Sequence, residues 1–521
     1  MKSLLSPKYH FYVYVFALCL LAVGLPFSKY LMSLAQIILA VNWMLEGDLK
    51  NKFSCFLKNK PAVILSSLLL LHFLGLFYTS DFDYAFKDIR IKMPLFILPL
   101  IISTSKFLSE GLYDLVLKIF VASVFVGTLV STFILFGVYK IHFVDTRGVS
   151  IFISHIRFAL LICVAFFVSI FYYRRSKQVY EQLMFSLLIV WWIIFLILIE
   201  SLTGLGTLLL TSFVWIIFYA FKTSSGLIRY SSFAIIGIIL FIGFYSIVSI
   251  RSENAIKETI PNFSTLENYT KAGNAYEHNE KSTLTENGHL IWIYFCDKEL
   301  RDSWNLRSKI DYNGNDLKGN YLKNTLVRFL TSKGLRKDAD AVSLLSTDEI
   351  KAIENGIPNV KYQSMSNFKR RIYETIWEIE LYKTTGDANG HSLTQRFEYW
   401  KTAFSIIKQN TLLGVGTGDI AKAFDDEYIK INSSLTKQWR LRSHNQYLSI
   451  TVAFGLIGLC WFLFTLIYPA FKLNMFSDFL YVSFFLIAVI SFFTEDTLET
   501  QAGVTFYAFF SSFFLFVKEE C

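Results

Sequence analysis

The sequence predicts an all-α polytopic membrane protein with about twelve transmembrane helices and one large, mainly helical loop domain between helices nine and ten. Two observations carry this prediction. Of the 521 residues, 54% are hydrophobic and only 17% are charged, whereas soluble proteins carry about 25% charged residues. The apolar residues also form long unbroken runs rich in Leu, Ile and Phe, such as 183–199, unlike the alternating strands of an outer-membrane barrel. A soluble protein, a single-span receptor and a small barrel are therefore excluded.

The spans are predicted from apolar runs of about 20 residues, the length that crosses a bilayer as a helix. The fourth span is short, and the first is read as a retained helix because no small-residue cleavage site follows it. The predicted spans are 9–27, 29–46, 62–79, 92–105, 111–137, 151–173, 181–200, 202–222, 229–250, 446–470, 477–494 and 501–517. The predicted domains are accordingly 1–250 with helices one to nine, 251–445 with the loop, and 446–521 with helices ten to twelve.

The net charge of +9 is interpreted as a signal of membrane orientation and not of nucleic-acid binding. Basic residues are concentrated in short loops on one side of the predicted spans, for example Lys50, Lys52, Arg174 and Arg175. Because Lys and Arg favour cytoplasmic loops, both termini are expected to be cytoplasmic and the large loop extracytoplasmic. The six cysteines are scattered and show no CxxC pair, so no zinc site, iron–sulfur site or disulfide framework is expected.

The large loop has polar composition, Gly, Asn and Asp turns, and amphipathic segments. Two helices are predicted in it, at 320–333 and at about 347–355. A second extracytoplasmic feature is 80–92, where acidic residues alternate with Tyr, Phe and Ile. This segment is predicted to form a short helix in the membrane interface.

Polar residues that could carry chemistry are concentrated between His391 and Leu459. Arg396 and Trp400 lie four apart, on one face of a helix that Thr394 could cap. Three glycines follow in the sequence LLGVGTGD. They lack the spacing of a dinucleotide site, and a tight turn is the simpler interpretation. The glycines are Gly414, Gly416 and Gly418.

His444 and Asn445 lie where the tenth span begins, which places them at the extracytoplasmic membrane surface. An imidazole there can take a proton from a hydroxyl near neutral pH, and the adjacent helix N-terminus favours anions. A satisfied interfacial histidine is the alternative. Arg440 and Arg442, just before it, are interpreted either as phospholipid anchors or as substrate contacts.

Arg157 lies inside the sixth span, where an unpaired cation costs about 2.5–3.5 kcal/mol. It therefore needs a partner. The partner is either a carboxylate, such as Glu200 or one in the last extracytoplasmic loop, or a bound diphosphate. That last loop contains Glu495, Asp496 and Glu499, and it is interpreted either as a solvated acidic turn or as part of the site.

Several of these motifs together resemble a known family. The sequence RFEYW at 396–400, the glycine run with Tyr428 after it, and SHNQYL at 443–448 followed by FGLIGL are similar to the O-antigen ligase and polymerase superfamily of bacterial membrane glycosyltransferases. The predicted twelve spans with a large loop between the ninth and tenth match the ligase architecture. The passage at 324–345 resembles Bacteroidetes-type members.

The resemblance implies a metal-independent, inverting transfer of a glycan from an undecaprenyl diphosphate carrier to an acceptor hydroxyl, such as lipid A-core. The reaction would occur at the periplasmic face of the bacterial inner membrane, without a cofactor. Arg396 would hold the diphosphate, and His444 would act on the acceptor hydroxyl or position the donor. The family usually has a further Arg after the seventh span, where this chain has Leu202. Either Arg157 or Arg147 supplies that charge instead, or the activity is altered.

The sequence therefore predicts His444 and Arg396 as catalytic residues. It also predicts a larger set of residues that contact the diphosphate or the glycan of the donor. Arginines are suited to this role because their planar guanidinium groups match phosphate oxygens. The predicted diphosphate- or glycan-binding residues are Arg157, Arg147, Asn445, Arg442, Gly416, Gly418, Trp400 and Glu495.

Four alternatives to a ligase remain open at this stage. Within the same chemistry they are an O-antigen polymerase and a protein O-glycosyltransferase. From other classes they are a carrier that moves lipid-linked sugars without making a bond and a non-catalytic assembly protein. A carrier is disfavoured because paired broken helices in two related halves are not evident in the sequence.

Overall fold

The computed structural model describes residues 6–138, 146–223, 262–282, 284–365 and 367–518, with scattered positions between 225 and 249. Within these residues the fold is almost entirely α-helical, as predicted. Up to residue 222 the helices are α1 Pro7–Phe27, α2 Lys29–Leu45, α3 Leu49–Lys58, α4 Lys60–Leu74, α5 Phe82–Lys92, α6 Pro94–Thr104, α7 Glu110–Leu135, α8 His155–Arg175, α9 Val179–Leu198 and α10 Leu202–Lys222.

The second half of the chain contains the remaining described elements. The two strands form one short antiparallel hairpin, in which Thr285 pairs with Leu290. These elements are β1 Thr285–Glu286, β2 His289–Leu290, α11 Asp297–Arg307, α12 Leu322–Ser332, α13 Ala339–Ser343, α14 Thr347–Glu354, α15 Asn367–Thr385, α16 Ser392–Gln409, α17 Ile420–Lys430, α18 Gln446–Lys472, α19 Phe479–Thr494 and α20 Gln501–Phe516.

Seven of the described helices are long and apolar enough to cross a membrane, or eight if the bent pair α2–α3, which turns by 113°, is one span. The seven are α1, α4 with its 3-10 extension to Tyr78, α7, α8, α9, α10 and α18, while α19 and α20 are shorter apolar helices. The chain is therefore a multi-pass membrane protein. The fourth predicted span corresponds to α6, which has 11 residues. The ninth, 229–250, lies mostly outside the described residues, so twelve spans remain a prediction.

The described chain divides into two compact units. The first comprises Met1–Ile141, Thr146–Trp215 and Gln395–Cys521, and the second comprises His142–Asp145 and Ile216–Thr394. Residues 395–445, which the sequence analysis grouped with the loop, thus belong to the same unit as the membrane helices. The predicted domains refer to position relative to the membrane, which this division does not test.

The second unit has its own apolar core, formed around Trp304, Leu326, Leu330 and Ile353. The two helices predicted here are confirmed as α12 and α14. The α14 helix begins with a capping box, in which the Ser346 side chain accepts from the Glu349 amide and the Glu349 side chain accepts from the Ser346 amide. Such a reciprocal cap satisfies two backbone donors that a helix start otherwise leaves free.

Polar caps fix where the helices around the candidate site begin. Asn445 accepts from the Leu448 amide at the start of α18, Asp478 caps α19, and Thr500 caps α20. The predicted cap at Thr394 is wrong, because α16 begins at Ser392 and the Thr394 hydroxyl donates to the His391 carbonyl oxygen inside the helix. The cap at Thr500 sets where the short loop between α19 and α20 ends.

Helix α18 is broken at Gly455, whose φ of +63° and ψ of −165° are not helical. The glycine run fits into this break. The amides of Val415 and Gly416 donate to the carbonyl oxygens of residues 452 and 453, at 2.9 Å each, and the Leu456 amide donates to the Thr411 carbonyl oxygen at 2.8 Å. Backbone groups freed by the kink are thereby satisfied inside the protein, which a membrane span requires.

Candidate active site

The site is built around the residues 495–500 that connect α19 and α20, here called the acidic loop. Its first residue, Glu495, is buried and accepts a hydrogen bond of 2.8 Å from the guanidinium of Arg396 on α16. The second oxygen of Glu495 lies 3.6 Å from Nδ1 of His444. A single buried carboxylate therefore joins the two residues predicted to be catalytic, which are 48 positions apart in the sequence.

The His444 ring is held with its two nitrogens in different surroundings. Nδ1 is buried and lies 3.6 Å from both the Glu495 and the Asp496 carboxylates, too far for a hydrogen bond to either. The ring lies 5.6 Å from that of Tyr399. The side chain is partly exposed, so Nε2 is the nitrogen available to a substrate. The backbone of His444 has a φ of +47°, a left-handed conformation that is uncommon for a non-glycine residue and marks a position held by its surroundings.

Opposing influences act on the proton affinity of His444. Burial lowers its pKa, but the nearby carboxylates of Glu495 and Asp496 raise it more than burial and Arg396 lower it, so the pKa is raised overall. Burial, followed by repulsion from the neighbouring carboxylates, raises the pKa of Asp496. The geometry thus gives a histidine whose buried nitrogen faces carboxylates and whose other nitrogen is a strengthened base.

A second set of charges fixes the far end of the acidic loop. Glu499 accepts hydrogen bonds from Lys92 at 3.0 Å, Arg442 at 2.8 Å and the Gln446 side chain at 3.1 Å. Lys92 is only 1% exposed and also binds Asp88 on α5. Although burial favours the neutral acid, Lys92 and Arg442 hold the pKa of Glu499 far below its ordinary value. Lys92 was not predicted from the sequence as part of the site. The available signal was its spacing of four residues from Asp88 on α5, which is typical of an ion pair on one helix face.

Two predicted substrate contacts have positioning roles in this structure. The Trp400 indole donates to the Ser443 carbonyl oxygen at 3.0 Å. Asn445 caps α18 with its side-chain oxygen and donates from its amide nitrogen to the Phe493 carbonyl oxygen at 3.1 Å. Together they hold the segment around His444 between α16 and α19. Their contact with a substrate, like that of Arg442, remains a prediction.

The glycines of the run serve close backbone packing. A Cβ at Gly414 would lie 2.4 Å from the Ala453 carbonyl carbon, and one at Gly418 would lie 1.9 Å from the Asp81 carbonyl oxygen. The Gly416 and Gly418 amides donate to Ala453 and to the Thr79 hydroxyl respectively. The tight-turn interpretation is therefore supported. Contacts of Gly416 and Gly418 with a substrate remain a prediction, and the hydrogen bonds that both amides already make within the protein do not favour it.

Asp419, directly after the run, anchors it to the turn that follows α4. Its carboxylate accepts from the Ser80 amide and hydroxyl, at 2.7 Å each, and from the Asp81 amide at 3.2 Å. Burial would raise the pKa of Asp419, but these hydrogen bonds lower it further than burial raises it. Asp419 was not predicted from the sequence as a site residue.

Arg157 borders a small cleft in the first unit. The cleft is also lined by Leu25, Ile153, Thr497 and Gly503, so it adjoins the acidic loop. The buried Nε of Arg157 has no hydrogen-bond partner among the residues that the structure describes. Among the described residues no ion pair joins Arg157 to a carboxylate, so the alternative of a structural ion pair finds no support there, and a bound diphosphate remains a prediction. The Arg147 side chain lies outside the described residues, and Leu202 is the first residue of α10.

The cluster is also compact enough to raise the question of a metal ion. His444, Glu495 and Asp496 each offer one ligand atom, and these atoms lie within 4.8 Å of one another. However, the Arg396 guanidinium already binds Glu495 at 2.8 Å, and its positive charge opposes a divalent cation at that position. We therefore assign no metal to the cluster.

The fold and these residues define a multi-pass membrane protein with a cluster of arginine, histidine and carboxylates at the ends of its helices. Residues 355–463 match the model of a protein family described as O-antigen ligase. This match confirms the resemblance to the O-antigen ligase and polymerase superfamily over that segment. The matched residues include Arg396, the glycine run and His444. A search of curated proteins found no match.

Proposed function

We propose that the protein is an O-antigen ligase-like glycosyltransferase, which moves a glycan from an undecaprenyl diphosphate carrier to an acceptor hydroxyl, such as one on lipid A-core. The family match supports membrane ligase or polymerase chemistry in general. The observation that carries the finer proposal is the shared carboxylate Glu495, which brings Arg396 and His444 to one place. The site would face the periplasm, with both termini in the cytoplasm.

Arg396 and Arg157 are assigned to the donor diphosphate. The leaving group carries several negative charges, and guanidinium groups stabilise it as charge develops on the departing oxygen. Arg396 would exchange its bond to Glu495 for the diphosphate. Arg157, whose Nε has no partner among the described residues and which borders a cleft beside the acidic loop, would supply the charge that the family usually places at the position of Leu202.

His444 is assigned to the acceptor. Its Nε2 would take the proton of the acceptor hydroxyl while the hydroxyl oxygen attacks the anomeric carbon. The bond from that carbon to the diphosphate oxygen breaks, and its electron pair leaves with the diphosphate. The imidazolium that forms is stabilised through Nδ1 by the Asp496 and Glu495 carboxylates, 3.6 Å away. A direct displacement of this kind inverts the anomeric configuration and involves no metal.

The proposal is tested by the surface-glycan profile of cells that lack the protein, probed in parallel for carrier-linked glycan. Loss of all polymer attached to lipid A, with long chains accumulating on the carrier, supports a ligase. Single-repeat glycan that is still attached supports the polymerase. An unchanged profile contradicts both for lipopolysaccharide and favours glycoprotein acceptors or a carrier.

Complementation with variants separates catalysis from assembly. His444→Ala and Arg396→Ala should fail to restore the profile although each variant is present in the membrane. His278→Ala is the matched control, because His278 is a partly exposed histidine in the second unit. If both site variants restore the profile as well as the control, the protein is a non-catalytic assembly factor.

A further inference from the structure

One surface of the first unit is apolar and exposed although it lies outside the membrane-spanning helices. Phe397 and Phe404, seven residues apart on α16, are both exposed, as are Leu412 and Leu413 at the start of the glycine run. We call these four residues the apolar ridge. The opposite side of α16 is buried through Tyr399, so the helix is packed on one face only.

The apolar ridge is continuous with side chains that face lipid. The amides of Leu456 and Ile457 on α18 donate to the carbonyl oxygens of Thr411 and Leu412, which places the ridge against that span. Both side chains on α18 are exposed.

The ridge also meets the other neighbouring span. The Tyr78 hydroxyl donates to the Leu413 carbonyl oxygen at 2.8 Å, at the end of the segment formed by α4 and its extension. Phe77 beside it is 87% exposed. Exposed apolar side chains on helices that cross a membrane contact acyl chains, and the ridge continues that surface.

The position of the ridge along α18 gives its depth. At 1.5 Å per residue, the 27 residues of α18 extend at most about 40 Å along the two segments on either side of the break at Gly455, while the hydrocarbon core of a bilayer is about 30 Å thick. Leu456 is ten residues beyond Gln446, about 15 Å along the helix. The excess length of α18 over the hydrocarbon core is about 10 Å. When this excess is shared between the two ends of the helix, Leu412 lies about 10 Å below the hydrocarbon boundary, and when all of it lies at the first end, Leu412 lies about 5 Å below. Both depths are those of an interfacial helix.

Basic residues lie on the same exposed face of α16. Lys401 and Lys408 are exposed and, at positions four and eleven after Phe397, point to the same side as the two phenylalanines. An interfacial helix combines aromatic residues with lysines that reach the headgroups and attract anionic lipid. A contact with a second protein would not call for this combination.

We propose that the apolar ridge of α16 and the glycine run is inserted into one leaflet of the bilayer, beside α4 and α18, with Lys401 and Lys408 at the level of anionic phospholipid headgroups. The segment carrying Arg396 is then held at headgroup depth by the membrane as well as by protein contacts. This inference concerns membrane insertion and does not depend on the proposed reaction.

The test measures insertion depth at position 412. Leu412→Cys is spin-labelled in full-length protein whose free cysteines, Cys19, Cys163, Cys296 and Cys460, are replaced by serine. The protein is reconstituted in nanodiscs of phosphatidylcholine and phosphatidylglycerol. Leu344→Cys is the matched control, because Leu344 in the second unit is 65% exposed and Leu412 is 64% exposed. The ratio of collision with oxygen to collision with a water-soluble nickel chelate should be several-fold higher at 412 than at 344.

Two results would overturn the proposal. Equal ratios at both sites would place the ridge in water, and low collision with both reagents at 412 would place it in a contact with protein, such as a second copy. The headgroup assignment is tested by removing phosphatidylglycerol. This should lower the ratio at 412, and it should have no effect in Lys401→Gln/Lys408→Gln; if the ratio at 412 does not change, the assignment is wrong.

A second measurement needs no substitution. A phospholipid with a photoactivatable acyl chain should label residues 404–413 of the unmodified protein and leave 339–346 unlabelled when peptides are resolved by mass spectrometry. Labelling of neither segment, with labelling of exposed positions on α18 as the positive control, would contradict insertion.

Discussion

Replacing Glu499 with glutamine should destabilise the protein strongly although the change in shape is small. Glu499 is buried and accepts from both Lys92 and Arg442, at 3.0 and 2.8 Å. In Glu499→Gln, Lys92 keeps Asp88 while Arg442 loses its carboxylate, so the buried cluster gains one uncompensated positive charge. Removing one partner of a buried ion pair costs about 3–5 kcal/mol.

The control is a substitution at an exposed ion pair on the same unit. Glu110 is 79% exposed and lies 3.0 Å from Arg175, and Glu110→Gln should cost less than about 1 kcal/mol because water screens the pair. The assay is the apparent Tm of the purified proteins in one detergent, together with a double-mutant cycle of Glu499→Gln and Lys92→Met. The cycle should give a coupling energy of about 1–3 kcal/mol.

Equal Tm values for Glu499→Gln and Glu110→Gln would refute this reasoning. The sign of the pH dependence offers an independent check. Because the pKa of Glu499 is lowered in the folded state, its stabilisation is fully present above the unfolded value of about 4.3 and is lost as the pH falls toward the folded value. The difference in Tm between wild type and Glu499→Gln should therefore be largest at neutral pH and shrink in acid.

Three further predictions concern the glycine run, the pH profile and metals. Gly414→Ala should lower the free energy of unfolding by at least about 2 kcal/mol. The φ of Gly414 is +70°, which costs about 1–2 kcal/mol for a residue with a side chain, and the new Cβ would also lie 2.4 Å from Ala453. Gly111→Ala is the control: because Gly111 has open space around it, its Tm should be almost unchanged. His444 must be unprotonated to act as a base, and its pKa is raised. The rate of glycan transfer should therefore rise with pH through a midpoint above about 6.5, and Asp496→Asn should move that midpoint to lower pH. A midpoint that does not move would contradict the interaction between His444 and Asp496. Adding EDTA should leave the transfer rate unchanged, and a loss restored by a divalent cation would show a metal site.

Most of the helices could be predicted from the sequence, and Arg396 and His444 could be selected from it as candidates, because apolar runs and short polar motifs are local signals. The spans corresponding to α7, α8 and α18 and the helices α12 and α14 were predicted within a few residues. The shortness of the fourth span, α6, was predicted, but the bend of 113° between α2 and α3 was not. Hydropathy reports which residues enter an apolar environment and not how the helix is bent there.

The partners of the site residues could not be predicted. Glu495 was one of three acidic residues in a loop, and only the fold selects it as the carboxylate shared by Arg396 and His444. The role of Lys92 depends on a contact with Glu499, which is 407 positions away. Such pairings are set by tertiary packing, and the pattern of one sequence does not contain them.

The central claim is tested most directly by transfer in a purified system. Full-length protein in nanodiscs is supplied with a polyprenyl diphosphate-linked glycan and a lipid A-core acceptor, and the glycosylated acceptor and the released polyprenyl diphosphate are both measured. The account predicts equimolar formation of the two products, with a loss of at least about 10²-fold in His444→Gln and in Arg396→Gln. Wild-type protein that forms no product with either a lipid A-core or a second lipid-linked acceptor, or variants as active as wild type, would contradict it.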